Sequence, residues 1–287
     1  MSAIFGKEFK SSMRSMTGPI FIAFVLLWYG IYTTLYCLER SYSEFEYVIS
    51  SASFLSLLAL PLLTMRTFAE ERHRGADKLL YSLPVGTAST VVAKYLSALA
   101  VFAIPTAVVA LYPLALSKFG EVYLNTAYSS LFAYFLAGAA LIAIGIFISS
   151  LTDSQVIAAI VSLGAIILLF FLPSLSESLP TTSSFSLLFL VILSCLAAGI
   201  SWVISKSAAV TAAVLGAGVV ASVAAYAINR TALEGLAAKL LNGISIFERM
   251  NEFFYGRLDI AAIIYYISIT ALFLFLTALS VEKRRWN

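Results

Sequence analysis

The chain has a single histidine, His73, and two cysteines, Cys37 and Cys195. Both cysteines fall inside long apolar runs, where neither a structural disulfide nor a thiolate metal site is expected, so they read as packing residues and no metal is assigned. No glycine-rich loop ending in Gly-Lys-Ser/Thr occurs, so the chain does not cradle ATP by itself in the P-loop manner. Charge is scarce, at 11% of residues, and the net value is only +3. No basic run interleaved with exposed aromatics is present, and nucleic acid is not an expected partner. Within the apolar runs Lys94 is the one Asp, Glu, Lys or Arg, and it sits close enough to a run's end for its stem to snorkel back to the surface. Ion-coupled carriers and proton relays need an intramembrane carboxylate or histidine, so this scarcity disfavours them.

Apolar residues are what the chain has in abundance: 61% of 287 positions, with a mean hydropathy of +0.96, the composition of an integral membrane protein. A helix needs about 20 apolar residues to cross roughly 30 Å of hydrocarbon. Eight runs meet that criterion, approximately 19–38, 47–65, 92–116, 128–150, 155–172, 185–204, 208–228 and 260–281. The expected fold is therefore all-α, a polytopic helical bundle forming a single transmembrane domain over residues 1–287. The first run is too long for a signal-peptide core and has no small-residue cleavage site after it, so it reads as a retained membrane helix. With the N-terminus inside and eight crossings, Arg40, Lys118, Arg230, Lys239, Arg249 and Arg257 lie outside and the other twelve of the 18 basic residues inside. By the positive-inside rule both termini are expected in the cytoplasm, and Glu39, Glu44 and Glu46 crowd the first outer loop in agreement.

The most polar stretch, residues 66–86, then lies on the cytoplasmic face between the second and third runs. Glu70 and Glu71 stand four and three residues before Arg74, the spacing that sets opposite charges side by side on a helix. Gly75 offers a stop, Asp77 a cap for a second short helical piece, and Leu79, Leu80 and Leu83 an apolar edge that Pro84 interrupts. A loop that only oriented the protein would need Lys and Arg alone. Acids at helical spacing, an apolar ridge and a Gly/Pro frame suit a surface that docks into a partner's groove.

Two families bear comparison. The paired glutamates and His73-Arg-Gly-Ala-Asp77 invite the reading of an intramembrane protease of the abortive-infection type, but Gly75 stands where those enzymes carry their arginine, and no second histidine exists. The order of elements instead resembles the membrane subunit of ABC transporters of the ABC-2 class, in particular the permeases of the gliding-motility type. Three stretches carry the likeness: Phe68-Ala-Glu-Glu-Arg-His-Arg-Gly-Ala-Asp-Lys-Leu-Leu-Tyr-Ser-Leu-Pro84; Phe253-Phe-Tyr-Gly-Arg-Leu-Asp-Ile260 with Tyr265-Tyr-Ile-Ser-Ile-Thr-Ala-Leu-Phe-Leu-Phe-Leu276; and the tail Glu282-Lys-Arg-Arg-Trp286. The family often has threonine after the glycine of the first stretch, where this chain has Ala76. Members commonly have six spans, so the pair within 185–228 reads as an addition.

The resemblance implies a plasma-membrane permease without a catalytic site of its own. It would act as a homodimer or with a related permease, with separate cytoplasmic ABC ATPase subunits binding ATP and Mg, most simply as an exporter. It also implies that Phe68, Glu70, Glu71, Arg72, Arg74, Gly75, Leu79, Leu80 and Pro84 form the coupling helix that sits in the ATPase. A membrane anchor or assembly factor that recruits a cytoplasmic partner without transport is the alternative.

Three further features are legible. Within residues 1–17, Phe5, Phe9, Met13 and Met16 can line one helix face and Lys7, Lys10 and Arg14 another, the pattern of an amphipathic helix in the headgroup plane. It reads either as a basic anchor or as a helix that gates lateral access or touches the ATPase. The outer segment 229–259 carries Leu233, Leu236 and Leu240 on one face, an Asn242-Gly243 turn, and a Ser245/Glu248 capping box opening a second helix toward Gly256 that holds Phe253 and Phe254. That pair either lines the exit, as in the family, or lies at the interface without touching cargo. Pro61, Pro105 and Pro113 are expected to bend their spans. Gly145 with Ser149, and Ala217, Ala221 and Ala225, have the four-residue spacing of helix packing. Gly216-Ala-Gly-Val-Val-Ala221 mimics a dinucleotide fingerprint but lies inside an apolar helix.

Overall fold

The computed structural model describes residues 1–39, 44–73, 75, 86–205, 208–228 and 233–286. Every regular element among them is helical: α1 Ser2–Arg14, α2 Thr17–Thr33 widening into a π-helical end Thr34–Glu39, α3 Glu46–Leu58, α4 Leu60–Thr64, α5 Ala69–His73, α6 Thr87–Val109, α7 Leu111–Leu116, α8 Leu124–Leu151, α9 Gln155–Ser178, α10 Ser183–Ser205, α11 Ala208–Ile228, α12 Leu236–Ile244, α13 Asn251–Phe254 and α14 Ile260–Trp286. The chain forms two compact units, one of residues 1–170 and 249–287, the other of residues 171–248.

Six helical stretches are long and apolar enough to cross a membrane: Thr17–Glu39, Glu46–His73, Thr87–Leu116, Leu124–Leu151, Gln155–Ser178 and Ile260–Arg284. They contain the first five and the last of the eight expected runs. The remaining two runs coincide with α10 and α11, whose fully described apolar portions are the shorter Ser183–Cys195 and Thr211–Ser222. The third span begins at Thr87 rather than near residue 92, which moves Lys94 two turns inward from the helix start.

The first unit is organised around α8. Its 28 residues reach roughly 42 Å at 1.5 Å per residue. They are rich in Ala, Gly and Ser, and their small side chains let α3, α4, α5, α6, α13 and α14 all pack against this one helix. Gly138 lies under the Phe102 ring of α6, and Gly145 lies under the side chain of Thr64 in α4, each where a β-carbon would collide. The Gly145/Ser149 stripe is thus a packing surface, as its spacing predicts. The Tyr29 and Tyr134 rings meet edge to face at 5.6 Å, with Phe21 and Phe102 beside them, and form the aromatic core between α2, α6 and α8.

The prolines act unequally. Pro61 cannot donate to the ladder, and the helix breaks at Ala59 just before it; Pro113 follows a similar break at Ala110. Pro105 sits inside an uninterrupted α6.

In the second unit α10 and α11 pack along each other where Gly218 meets Ser194. Ala217 and Ala221 are exposed, so the close approach is made by Gly218 and the buried Ser222, one position round the helix from the expected alanine stripe.

Gly145→Leu should cost roughly 1–3 kcal/mol through overpacking against Thr64, read as a lower melting temperature in detergent. Gly164→Leu, where an added β-carbon meets nothing, should leave that temperature unchanged.

Candidate functional site

The site grows from the problem of Lys94. Its side chain is 1% exposed, so the ammonium finds its acceptors inside the protein. It donates to Glu71 Oε1 at 2.9 Å, Glu8 Oε1 at 3.1 Å and the carbonyl of Thr67 at 2.9 Å, and it lies 5.1 Å from the centre of the Phe68 ring. Three N–H groups meet three acceptors. The expectation that Lys94 snorkels to the surface is corrected: a lysine two turns inside a buried helix face reaches carboxylates brought to it by α1 and α5. One ammonium thereby joins the N-terminal helix, the charged segment and the third span.

Ser149 on α8 supplies a second anchor. Its hydroxyl accepts the amides of Phe68 and Ala69, each at 3.2 Å, and donates to the carbonyl of Met65 at 3.1 Å. The gap between α4 and α5 leaves those backbone groups without helical partners, and one serine satisfies all three.

A third anchor holds the other flank. The Arg72 guanidinium donates to the carbonyl of Ser150 and lies 3.8 Å from Asp153. Arg284 of α14 reaches the same Asp153 at 2.7 Å and the carbonyl of Leu151 at 2.8 Å. The turn between α8 and α9 is therefore clasped by one arginine from the charged segment and one from the C-terminal tail.

These anchors sort the predicted interface residues. Phe68 is buried, and Glu71 and Arg72 are turned inward onto Lys94 and Ser150. Glu70 pairs with Arg66 at 3.8 Å one helical turn earlier, and His73 is exposed. Gly75 ends the helix as expected, with φ +66° and its amide on the Arg72 carbonyl. Arg74, Leu79, Leu80 and Pro84 lie outside the described residues.

On α1, Phe5 and Phe9 stack at 6.0 Å and the helix packs on α6, while Lys7, Lys10 and Arg14 are exposed, as the amphipathic pattern predicts. Met16 falls beyond the helix end and is 78% exposed, so it leaves the apolar face. Helical patterning alone does not point to Glu8; a lone acid in a basic helix is the signal that marks it.

The segment 229–259 divides between the two units. In the second, Leu233 and Ala237 are buried, Leu240 is exposed, and α12 continues through Asn242 and Gly243 to Ile244, so the expected turn there is not made. Asn242 is held within the helix by a side-chain bond with Ser176. Ser245 caps as expected, accepting the amide of Glu248 at 3.2 Å. In the first unit the expected second helix is a 3₁₀ turn followed by the four-residue α13. There Phe253 is fully buried against Phe132 and its carbonyl accepts from Ser129 at 2.6 Å, while Phe254 is half-buried. Among the described residues no cluster of His, Cys, Asp and Glu could hold a metal.

Lys94→Met should destabilise the protein by roughly 3 kcal/mol or more, because it leaves Glu8 and Glu71 confronting each other without their cation. Adding Glu8→Gln and Glu71→Gln to the same chain should recover most of that loss, as followed by thermal denaturation in detergent.

No curated protein and no solved structure matches the chain. A family model described as "ABC-2 family transporter protein" matches residues 4–208, which takes in most of α1, five of the six long apolar stretches and α10, the first helix of the pair expected as an addition. The second and third resemblance stretches, near Phe253 and Glu282, lie beyond the matched region. With most of its length matched, and with six helices able to cross a bilayer, the chain belongs to the ABC-2 family of transporter proteins as a multi-pass membrane protein.

Proposed function

We propose that the chain is the permease subunit of an ATP-driven ABC-2 exporter, of the gliding-motility type suggested by its three motif stretches. In this reading it spans the plasma membrane eight times with both termini in the cytoplasm. It pairs with a second permease, identical or related, and two ATPase subunits that bind ATP and Mg dock beneath. ATP-driven closure of those subunits moves the 66–86 segment, and the spans switch access outward.

The observation that carries the reading is how the Arg66–Gly75 stretch is mounted. It is fastened to α6 and α1 through Lys94, to α8 through Ser149, and to the α8–α9 turn through Arg72. Arg66, His73 and Gly75 stay exposed, and Glu70 is partly so. A segment held this firmly on the inside and polar on the outside suits a lever: a force applied at Glu70 and His73 reaches several spans at once. In this reading the docking surface is formed by Arg66, Glu70, His73 and the residues that follow Gly75. Phe68, Glu71 and Arg72 transmit from behind.

The tagged protein, solubilised from its host, should bring down a P-loop ATPase whose turnover it alters. Glu70→Lys with His73→Glu should weaken that effect roughly tenfold or more by opposing the partner's charge pattern, with the melting temperature preserved. A recovered ATPase whose turnover is the same with and without the chain would mark a membrane anchor instead.

A further inference from the structure

A polar cavity of about 270 Å³ opens between α1, the first turn of α2, the Leu63–Glu71 stretch and α6. Its wall is graded by charge. Glu8, Glu71 and Glu70 are 19%, 20% and 22% exposed, whereas Arg66 is 42% exposed and Lys7 is exposed. Carboxylates therefore stand deep and cations stand at the mouth, with the hydroxyls of Ser11 and Ser12 among them.

The deep end is electrically unfinished. Among the described residues two carboxylates share the single ammonium of Lys94, which already spends its three N–H groups on Glu8, Glu71 and the Thr67 carbonyl. A surplus negative charge in a half-dry pocket is costly unless a cation with N–H donors completes it. At the mouth Lys7, together with Arg66, which stays 42% exposed while 3.8 Å from Glu70, offers the opposite complement, a place for an anion, and among the described residues no side chain caps the first turn of α2, where Thr17 lines the cavity. An occupant that satisfies both ends carries a primary ammonium at its tip and a phosphate a few atoms behind it. A basic side chain from a partner protein would answer the carboxylates and leave the mouth unmatched.

The cavity lies at the foot of the membrane spans, beside an amphipathic helix, which is where lipid headgroups are found. Its volume lies just under the roughly 300 Å³ at which sites for drug-sized ligands start, and suits a headgroup rather than a whole cargo molecule. We propose that this cavity binds the zwitterionic headgroup of an aminophospholipid, with the ammonium inward on Glu8 and Glu71 and the phosphate outward on Arg66 and Lys7. Choline heads lack the N–H donors and glycerol heads lack the cation, so the site discriminates by chemistry. The binding does not depend on the presence of an ATPase.

The test titrates the full chain in detergent with phosphatidylethanolamine, phosphatidylcholine and phosphatidylglycerol of matched acyl chains, counting bound copies by native mass spectrometry. One phosphatidylethanolamine should be retained with a preference of roughly tenfold. Arg66→Gln with Lys7→Gln should weaken retention of phosphatidylethanolamine itself, because the phosphate loses its cations, and Ser11→Phe, which fills the mouth, should abolish binding without lowering the melting temperature. Excess soluble glycerophosphoethanolamine should displace the bound lipid. Equal retention of the three lipids, undiminished retention of phosphatidylethanolamine by the double glutamine variant, or failure of the soluble headgroup to compete would each overturn the proposal.

Discussion

An ammonium buried two turns inside an apolar helix must be solvated by the protein, because its own surface is closed to water. At Lys94 that requirement is met by a glutamate from α1, a glutamate from α5 and a backbone carbonyl at the end of the second span. The arrangement is the reverse of a surface ion pair, where exposed partners gain little. Here removal of the ammonium strands both carboxylates, so the three elements are obliged to move together or to pass through a costly intermediate. The fastening of the charged segment to the bundle rests first on this contact.

The neighbouring anchors extend the same logic. Ser149 answers backbone groups orphaned where the helix breaks between Thr64 and Ala69, and the Arg72–Asp153–Arg284 clasp ties the segment to the last helix through the turn between α8 and α9. All of this depends on the slenderness of α8. Gly138 and Gly145 admit Phe102 and Thr64 at distances that any side chain would forbid. Small residues set how near the helices come, and polar residues then fix their register at the end where the segment sits.

The spans were legible because the bilayer imposes a length and a composition, and six of the eight expected runs reappear as long apolar helices. Their ends were less so. Thr87, Ala88 and Ser89 look like loop residues, yet they form the first turn of α6, and that shift is what carried Lys94 from an expected interfacial position into the interior. Asn242-Gly243 has the local chemistry of a turn, but a contact with Ser176, remote in sequence, accompanies a helix that runs through it. In the charged segment, Gly75 as a stop was readable from glycine's tolerance of positive φ. The direction in which Glu71 and Arg72 point was not, because their partners stand 23 and 78 positions away. Helical spacing proposed Arg74 as the local partner; tertiary structure gave Glu71 to Lys94.

The central claim is that the charged segment and the N-terminal helix are one mechanical unit joined through Lys94. Hydrogen–deuterium exchange of the Glu71→Gln variant in detergent tests it most directly, because the substitution is on α5 and the readout is on α1. The account predicts that amides of residues 2–14 exchange about tenfold faster once Lys94 loses one of its two carboxylates, a change equivalent to roughly 1.4 kcal/mol of local stability. Unchanged protection of α1 alongside a loosened α5 would contradict it.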